Sequence, residues 1–321
     1  MFFMAKRKMI LDLDTGIDDA MAIAYAVGAP DVDLIGIISS YGNCLVDQAA
    51  INSLQILELL GATDVPVFLG EPHSSTTEHF DVMPISQQIH GMNGIGDVEL
   101  PAPKRAVEKQ SGVDFLIDAV HQYGADLTLV PTGPLTNLAE ALEKAPDIAS
   151  TIGNVTLMGG ALTVPGNVSH YAEANINQDA EAANAVFTSN MPLTMVGLDV
   201  TLRTLLTKTE TQQWRDLKTT AGEKFADIVD YYIAAYDITS PDLHGCALHD
   251  PLAVGVSLDP SFVTTLDLNM YVQASGEDYG RTIGDPARLN DPTNVTVALT
   301  VDKDRYLKTF MDYLTTLFKQ H

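Results

Sequence analysis

Positive charge is what this sequence has least of. Its 321 residues carry 18 Lys and Arg against 42 Asp and Glu, a formal net charge of −24 at pH 7. No Lys or Arg stands between Lys8 and Lys104, and the stretches 110–143, 145–202 and 225–280 are equally free of them. Such a chain repels nucleic acid and anionic membrane surfaces, and it lacks a basic cluster for a highly anionic substrate. A neutral small molecule suits it better. Cys44 and Cys246 form neither a disulfide framework nor a metal-ligand spacing, which makes a reducing cytoplasm the default compartment. No apolar run approaches the length of a membrane span. The opening Met1–Lys8 puts its basic residues after its apolar ones, the reverse of a secretory signal. A phosphate-binding G-x-x-x-x-G-K-S/T loop and a G-x-S-x-G nucleophile elbow are both missing, so neither phosphate cradling nor acyl chemistry has support.

Acidic residues, by contrast, are concentrated. Asp12, Asp14, Asp18 and Asp19 fall within eight residues, in the run Asp12-Leu13-Asp14-Thr15-Gly16-Ile17-Asp18-Asp19. Packed carboxylates repel one another and stay ionised only beside hydrogen-bond donors, solvent or a cation. With no basic side chain nearby in sequence, a divalent metal is the natural partner. Met9 to Leu13 reads as a strand with Asp12 and Asp14 at period two, and Gly16 ends it before a helix that opens at Asp18-Asp19. Asp18 could serve as a helix cap, but capping accounts for one acidic residue, not four. With oxygen ligands alone in view, Ca²⁺ and Mg²⁺ lead, and a vicinal diol could add two more oxygens to Ca²⁺. That combination points to a sugar.

Strand-like runs alternate with helix-like segments along the chain. Strands are expected at 34–40, 65–69, 127–130, 154–158 and 193–197, and helices at 47–60, 113–123 and 180–187. This order predicts an α/β protein with an open, mainly parallel, Rossmann-like sheet covered by helices on both faces. In such sheets sites form beyond the carboxyl ends of the strands, where Asp14, Asn43, Thr132, Met158 and Asp199 fall. The chain reads as one domain over 1–321, with irregular insertions near 72–112 and 203–248 that could cover the site.

Three further clusters stand out. Glu173 and Asn175 share period-two spacing and could grip hydroxyls, or they could belong to a capping segment before the helix at 180–187, the role expected of Asp179. His249-Asp250-Pro251 reads first as a helix start with Asp250 as N-cap. The run His90-Gly91-Met92-Asn93-Gly94-Ile95-Gly96-Asp97 resembles a flexible loop or lid. Tyr232 and Tyr236, four apart in a helical stretch, share a face that could meet a substrate or simply pack in the core.

Together these motifs resemble the inosine–uridine-preferring nucleoside hydrolases over nearly the whole chain, from about Lys8 to Leu317. The matching segments are 12–19, Gly42-Asn43, 90–96, 132–137, Met158-Gly159-Gly160, Glu173-Ala174-Asn175 and His249-Asp250-Pro251. The resemblance implies the nucleoside hydrolase fold and Ca²⁺ bound by Asp14, Asp19, Asp250 and the Thr132 carbonyl. It implies attack of a metal-bound water on the ribose C1′ with Asp14 as general base, releasing free base and ribose. Asp18, Asn43, Glu173 and Asn175 would hold the water or ribose hydroxyls, Met158 would line the sugar pocket, and His249 would assist departure of the base. His90, Tyr232 and Tyr236 are candidates near the base. A small-molecule nucleoside partner, a homodimer or homotetramer, and a role in nucleoside salvage are likewise implied. The chemistry agrees: N-glycosidic cleavage passes through an oxocarbenium-like state, which a carboxylate-rich, cation-poor pocket stabilises.

The chain departs from the pattern at Ala174, where the family usually has an aromatic residue, and this opens the ribose-pocket wall to a larger or modified sugar. In the family it resembles, the purine-specialised branch stacks the base on tryptophans and has Asn in place of the leaving-group His, so His249 and a single tryptophan, Trp214, in a polar stretch imply a pyrimidine or mixed base range over a purine-only one. Two rival readings are a haloacid-dehalogenase-type Mg²⁺ phosphatase, since Asp12-Leu13-Asp14-Thr15 resembles D-x-D-x-T, and a non-catalytic nucleoside-binding protein on the same scaffold.

Overall fold

The computed structural model describes residues 6–321, so the reading of the leading segment falls mostly on residues outside those described. In chain order the first half contains β1 (Arg7–Leu13), α1 (Ile17–Gly28), β2 (Val32–Ser39), α2 (Val46–Leu59), β3 (Val67–Leu69), α3 (Pro84–His90), α4 (Gly112–Tyr123), β4 (Leu127–Pro131), α5 (Thr136–Lys144), α6 (Ile148–Thr151) and β5 (Asn154–Met158). The second half contains α7 (Ala174–Gln178), α8 (Ala180–Phe187), β6 (Leu193–Val196), α9 (Leu198–Thr201), β7 (Leu205–Leu206), α10 (Lys208–Arg215), α11 (Thr220–Thr239), β8 (Cys246–Ala247), α12 (His249–Leu258), β9 (Val263–Leu268), β10 (Met270–Val272), β11 (Thr282–Gly284), β12 (Val295–Val301) and α13 (Lys303–Phe318).

Eight strands form one sheet in the order β3-β2-β1-β4-β5-β6-β12-β9. Every pairing in it is parallel except β12 with β9, an antiparallel edge that strand alternation in the first two hundred residues did not foretell. Strand β1 shows why helices must cover both faces: Met9, Leu11 and Leu13 enter one core and Ile10 the other, as period-two geometry requires. The first core is closed by α1, α2, α11, α12 and α13, the second by α4, α5, α6 and α8. Trp214, on the otherwise polar α10, turns into the first core, edge-on to Phe318 at 5.4 Å. It does not line the cavity that opens over the carboxyl ends of the strands. Among the described residues no helix is long and apolar enough to cross a membrane.

The strand ends gather the expected residues. Asp14, Asn43, Thr132 and Met158 sit at or just beyond the carboxyl ends of β1, β2, β4 and β5. Asp199, at the corresponding end of β6, has another task. Its carboxylate accepts the N–H groups of Leu162 and Thr163 and the Thr163 hydroxyl, fixing the segment that crosses in front of β5.

Candidate active site

A cavity of about 550 Å³ opens over these strand ends. Of the candidate residues, Asp18, Asn43, His90, Thr132, Met158, Glu173, Asn175, Tyr232, Tyr236, His249 and Asp250 line it. Asp14 and Asp19 lie just beneath, fully buried. No Lys or Arg lines this cavity.

Its floor is built by helix starts. Gly16 is the N-cap of α1, where the Asp19 carboxylate accepts the Gly16 N–H at 2.8 Å. Asp19 also takes the Thr132 hydroxyl at 2.8 Å and the Asn43 amide at 3.2 Å. Asp18 therefore does not cap the helix but points into the cavity. Asp250 likewise is no N-cap: α12 begins at His249 with Leu248 before it, which puts Asp250 in the first turn. One carboxylate oxygen each from Asp18, Asp19 and Asp250 lies within 4.8 Å of the others. Asp14 stands beside them, with Oδ2 accepting the Asn43 N–H at 2.6 Å and Oδ1 buried without a partner. That contact needs Gly42, whose φ of +152° and lack of a side chain leave room for Asp14 Oδ2. Asp18 thus joins a carboxylate group that could hold a metal, a role the sequence reading gave to Asp14, Asp19 and Asp250. The Thr132 carbonyl is near too, and Asn175 donates to it at 2.7 Å.

Burial pushes every one of these carboxyls up. Asp18 and Asp19 rise to about 6, and Asp14 and Asp250 climb well above the ordinary carboxylate range, with mutual repulsion adding to desolvation for Asp14, Asp19 and Asp250. Each buried ion costs several kcal/mol of desolvation, which no basic residue here offsets. Orphaned oxygens on Asp14 and Asp18 complete the picture of a donor set made only of oxygen, which fits a hard divalent cation. Asp12 lies deeper, pushed up to about 7 by burial, and its Oδ1 is spent on Asn137 beneath the floor. A phosphatase would need Asp12 at the surface of the cavity and a lysine across from it, and the site has neither.

Glu173 and Asn175 enter the cavity by a different route from the one their spacing implied. They are not alternate residues of a strand: Glu173 is the N-cap of the short α7, accepting the N–H groups of Asn175 and Ile176 and also that of Gly160. Asp179 caps α8 as expected, accepting the Ala182 N–H. The glycine-rich run after α3 is laced, not loose: Asp97 Oδ1 takes the Met92 and Asn93 N–H groups, and Asn93 Oδ1 takes those of Ile95 and Asp97. His90 closes it against α1, its Nδ1 accepting the Ile17 N–H at 3.2 Å, which leaves the ring proton on Nε2.

Tyr232 and Tyr236 are both core residues and cavity residues, on the inner face of α11. Tyr232 donates to Asp18 Oδ2 at 3.2 Å, and the Tyr236 hydroxyl lies 2.7 Å from His249 Nε2. Burial lowers His90 and His249 to about 4, so both rings are neutral at pH 7. Met83, Ile85 and Ile89 around α3 form one wall of the cavity and the end of α11 another. Sequence reasoning missed Asn167 and Val168, which line the cavity on the segment that Asp199 anchors. Asn167 Oδ1 accepts the Ala174 N–H at 3.0 Å. Their position beyond the carboxyl end of β5 was the signal available.

The comparisons with known proteins agree with this geometry. The family model described as inosine-uridine preferring nucleoside hydrolase matches residues 9–308. Probable uridine nucleosidase 2 of Arabidopsis thaliana is 35% identical over 317 residues, covering 96% of this chain and 98% of its own. The pyrimidine-specific ribonucleoside hydrolase RihB of Escherichia coli (strain SE11) is 37% identical, covering 94% and 95%. A solved structure, the purine-preferring ribonucleoside hydrolase from Gardnerella vaginalis, superposes with a TM-score of 0.97 at 56% identity, over 98% of this chain and all of the other. The mainly parallel sheet, the cation-poor cavity and these matches lead to one conclusion: the chain belongs to the inosine-uridine preferring nucleoside hydrolase family, and it is a nucleoside hydrolase.

Proposed function

We propose that the protein hydrolyses the N-glycosidic bond of both purine and pyrimidine ribonucleosides in a Ca²⁺-dependent reaction, yielding free base and ribose. The observation that carries this reading is the group Asp14, Asp18, Asp19 and Asp250, buried at the floor of a cavity with no cation among its lining residues. Asp14, Asp19, Asp250 and the Thr132 carbonyl would hold the ion, with Asp18 close enough to share it. When bound, Ca²⁺ would orient vicinal ribose hydroxyls and acidify the attacking water.

The remaining steps belong to this chain's side chains. Asp14 Oδ1 has a free lone pair and takes the proton of the attacking water. Asp18, Asn43 and Asn175 bind ribose hydroxyls, Glu173 adds the unused capacity of its Oε1, and Met158 packs on the sugar. Negative charge on this floor favours the oxocarbenium-like transition state. On the far wall the departing base meets the Tyr236–His249 pair, whose hydrogen bonds disperse its developing charge. His90 and Tyr232 complete that wall. Relatives of both base preferences support the mixed range, as does the mainly aliphatic wall of Met83, Ile85 and Ile89, where Ser86 is the one polar side chain lining the cavity between them. Two free, buried cysteines fit a reducing cytoplasm.

The test is ribose release from uridine and inosine by the purified protein, with and without a strong calcium chelator. Release that stops on chelation and returns with Ca²⁺, but not with Mg²⁺, is the expected result. Undiminished release after complete metal removal overturns the cation's role, and no release from either nucleoside overturns the substrate assignment.

A further inference from the structure

The contact that holds His249 from behind has no part in the chemistry described so far. Its Nδ1 lies 2.8 Å from Thr201 Oγ1, and no carboxylate approaches the ring within ion-pair distance among the described residues. Thr201 is fully buried at the end of α9. Its hydroxyl has no other hydrogen-bond partner among the described residues. Backbone bonds fix the spacing of the two residues: the Thr204 N–H and hydroxyl both return to the Thr201 carbonyl, and the Leu248 N–H donates to the Thr204 carbonyl at 2.8 Å. The β7–β8 ribbon, pairing Leu205 with Ala247 and Leu206 with Cys246, continues that tie up to His249.

We propose that Thr201 is a positioning residue that sets the direction of hydrogen bonding toward the leaving base. In a neutral imidazole one nitrogen donates and the other accepts. When the Thr201 hydroxyl donates to Nδ1, the ring proton sits on Nε2 and is donated to the Tyr236 oxygen. The Tyr236 O–H is then free to point into the cavity and donate to the base. In the opposite tautomer Tyr236 spends its only proton on His249 and has none for the substrate. A threonine hydroxyl can take this donor role at Nδ1, whereas an ionised carboxylate, an acceptor only, would hold the ring proton on the wrong nitrogen.

The proposal rests on the assignment of the Tyr236–His249 pair to the leaving group, and the experiment separates the two. Thr201→Val, Thr201→Ser and His249→Ala are assayed on uridine and on p-nitrophenyl riboside, whose phenolate leaves without help. Thr201→Val is expected to lower kcat on uridine about 10- to 100-fold, at or below the lower end of the roughly 10²- to 10⁴-fold typical of acid–base assistance, as befits a residue that acts through another. KM and the rate on the phenyl riboside should stay within about threefold, and Thr201→Ser should recover most of the uridine rate. Equal losses on both substrates, an unaffected uridine rate, or no rescue by serine would overturn the proposal. If His249→Ala is selective for uridine while Thr201→Val is not, only the role of Thr201 falls. If His249→Ala is not selective, the leaving-group assignment falls and the proposal with it.

Discussion

At the floor of the cavity Asp14, Asp18, Asp19 and Asp250 hang from the end of β1 and from the first turns of α1 and α12, elements buried in the larger of the two cores. Across from them the base wall is Met83, Ile85 and Ile89, carried by the seven-residue α3 on an insertion, with Ile85 42% exposed. The floor is polar, dense in hydrogen bonds and fixed by several elements at once. The wall is mainly aliphatic, with Ser86 its polar exception, and is carried on one short helix. On the proposed function, chemistry common to all nucleosides falls to the rigid part, and discrimination among bases to the part that tolerates change.

The strongest way to break that division is to remove charge from the floor. Asp14→Asn should lower kcat by about 10³-fold or more while leaving the fold intact, since it removes the proton acceptor and one oxygen of the cation site. Normal ribose release by a variant with an unchanged circular dichroism spectrum would end the assignment of Asp14 as base.

A second effect is read in stability, not rate. The floor carboxyls have folded pKa values raised above their unfolded value of 3.8, so they favour the folded state at low pH, and that contribution is lost as pH rises through the folded values. His90 and His249, lowered from 6.5 to about 4, work the other way, but only below pH 6.5. Between pH 6.5 and 8 the carboxyls therefore act alone. The metal-free protein should lose Tm across this interval, and Ca²⁺ should raise Tm more at pH 8 than at pH 6.5. A calcium-induced shift that is larger at the lower pH would contradict the floor as described.

The wall should give the smallest change. Ile85→Ala should move KM for one base relative to another by about tenfold or less and leave kcat nearly constant, because it removes only apolar contact. A large fall in kcat on every nucleoside would mean that wall and floor do not divide the work.

The same contrast explains what the sequence revealed. The floor was legible because its chemistry is local: carboxylates at period two before a glycine, then a pair opening a helix, announce a strand end and its site. Eight-strand architecture was readable through β6, where apolar runs are long. It was not readable at β9, whose Val263-Thr264-Thr265-Leu266-Asp267-Leu268 is mostly exposed at an antiparallel edge and carries no continuous apolar signal. Capping at Asp250 was misjudged because Pro251 marks only the neighbourhood of a helix start, and the helix in fact began two residues earlier. Asn167 and Thr201 escaped notice since nothing in their own neighbourhoods distinguishes them. Their meaning comes from partners 7 and 48 residues away.

That dispersal along the chain bears on how the enzyme matures. The oxygen donors come from positions 14 through 19, 132 and 250, and the last of them sits on α12, packed against α1. A growing polypeptide released residue by residue from the ribosome has no complete cage until α12 has emerged and docked. A cation held there could not template the early strands. On the proposed function it would act instead as a late latch, engaging only chains whose α1 and α12 have already met, and its capture would mark the moment the newly made enzyme becomes competent.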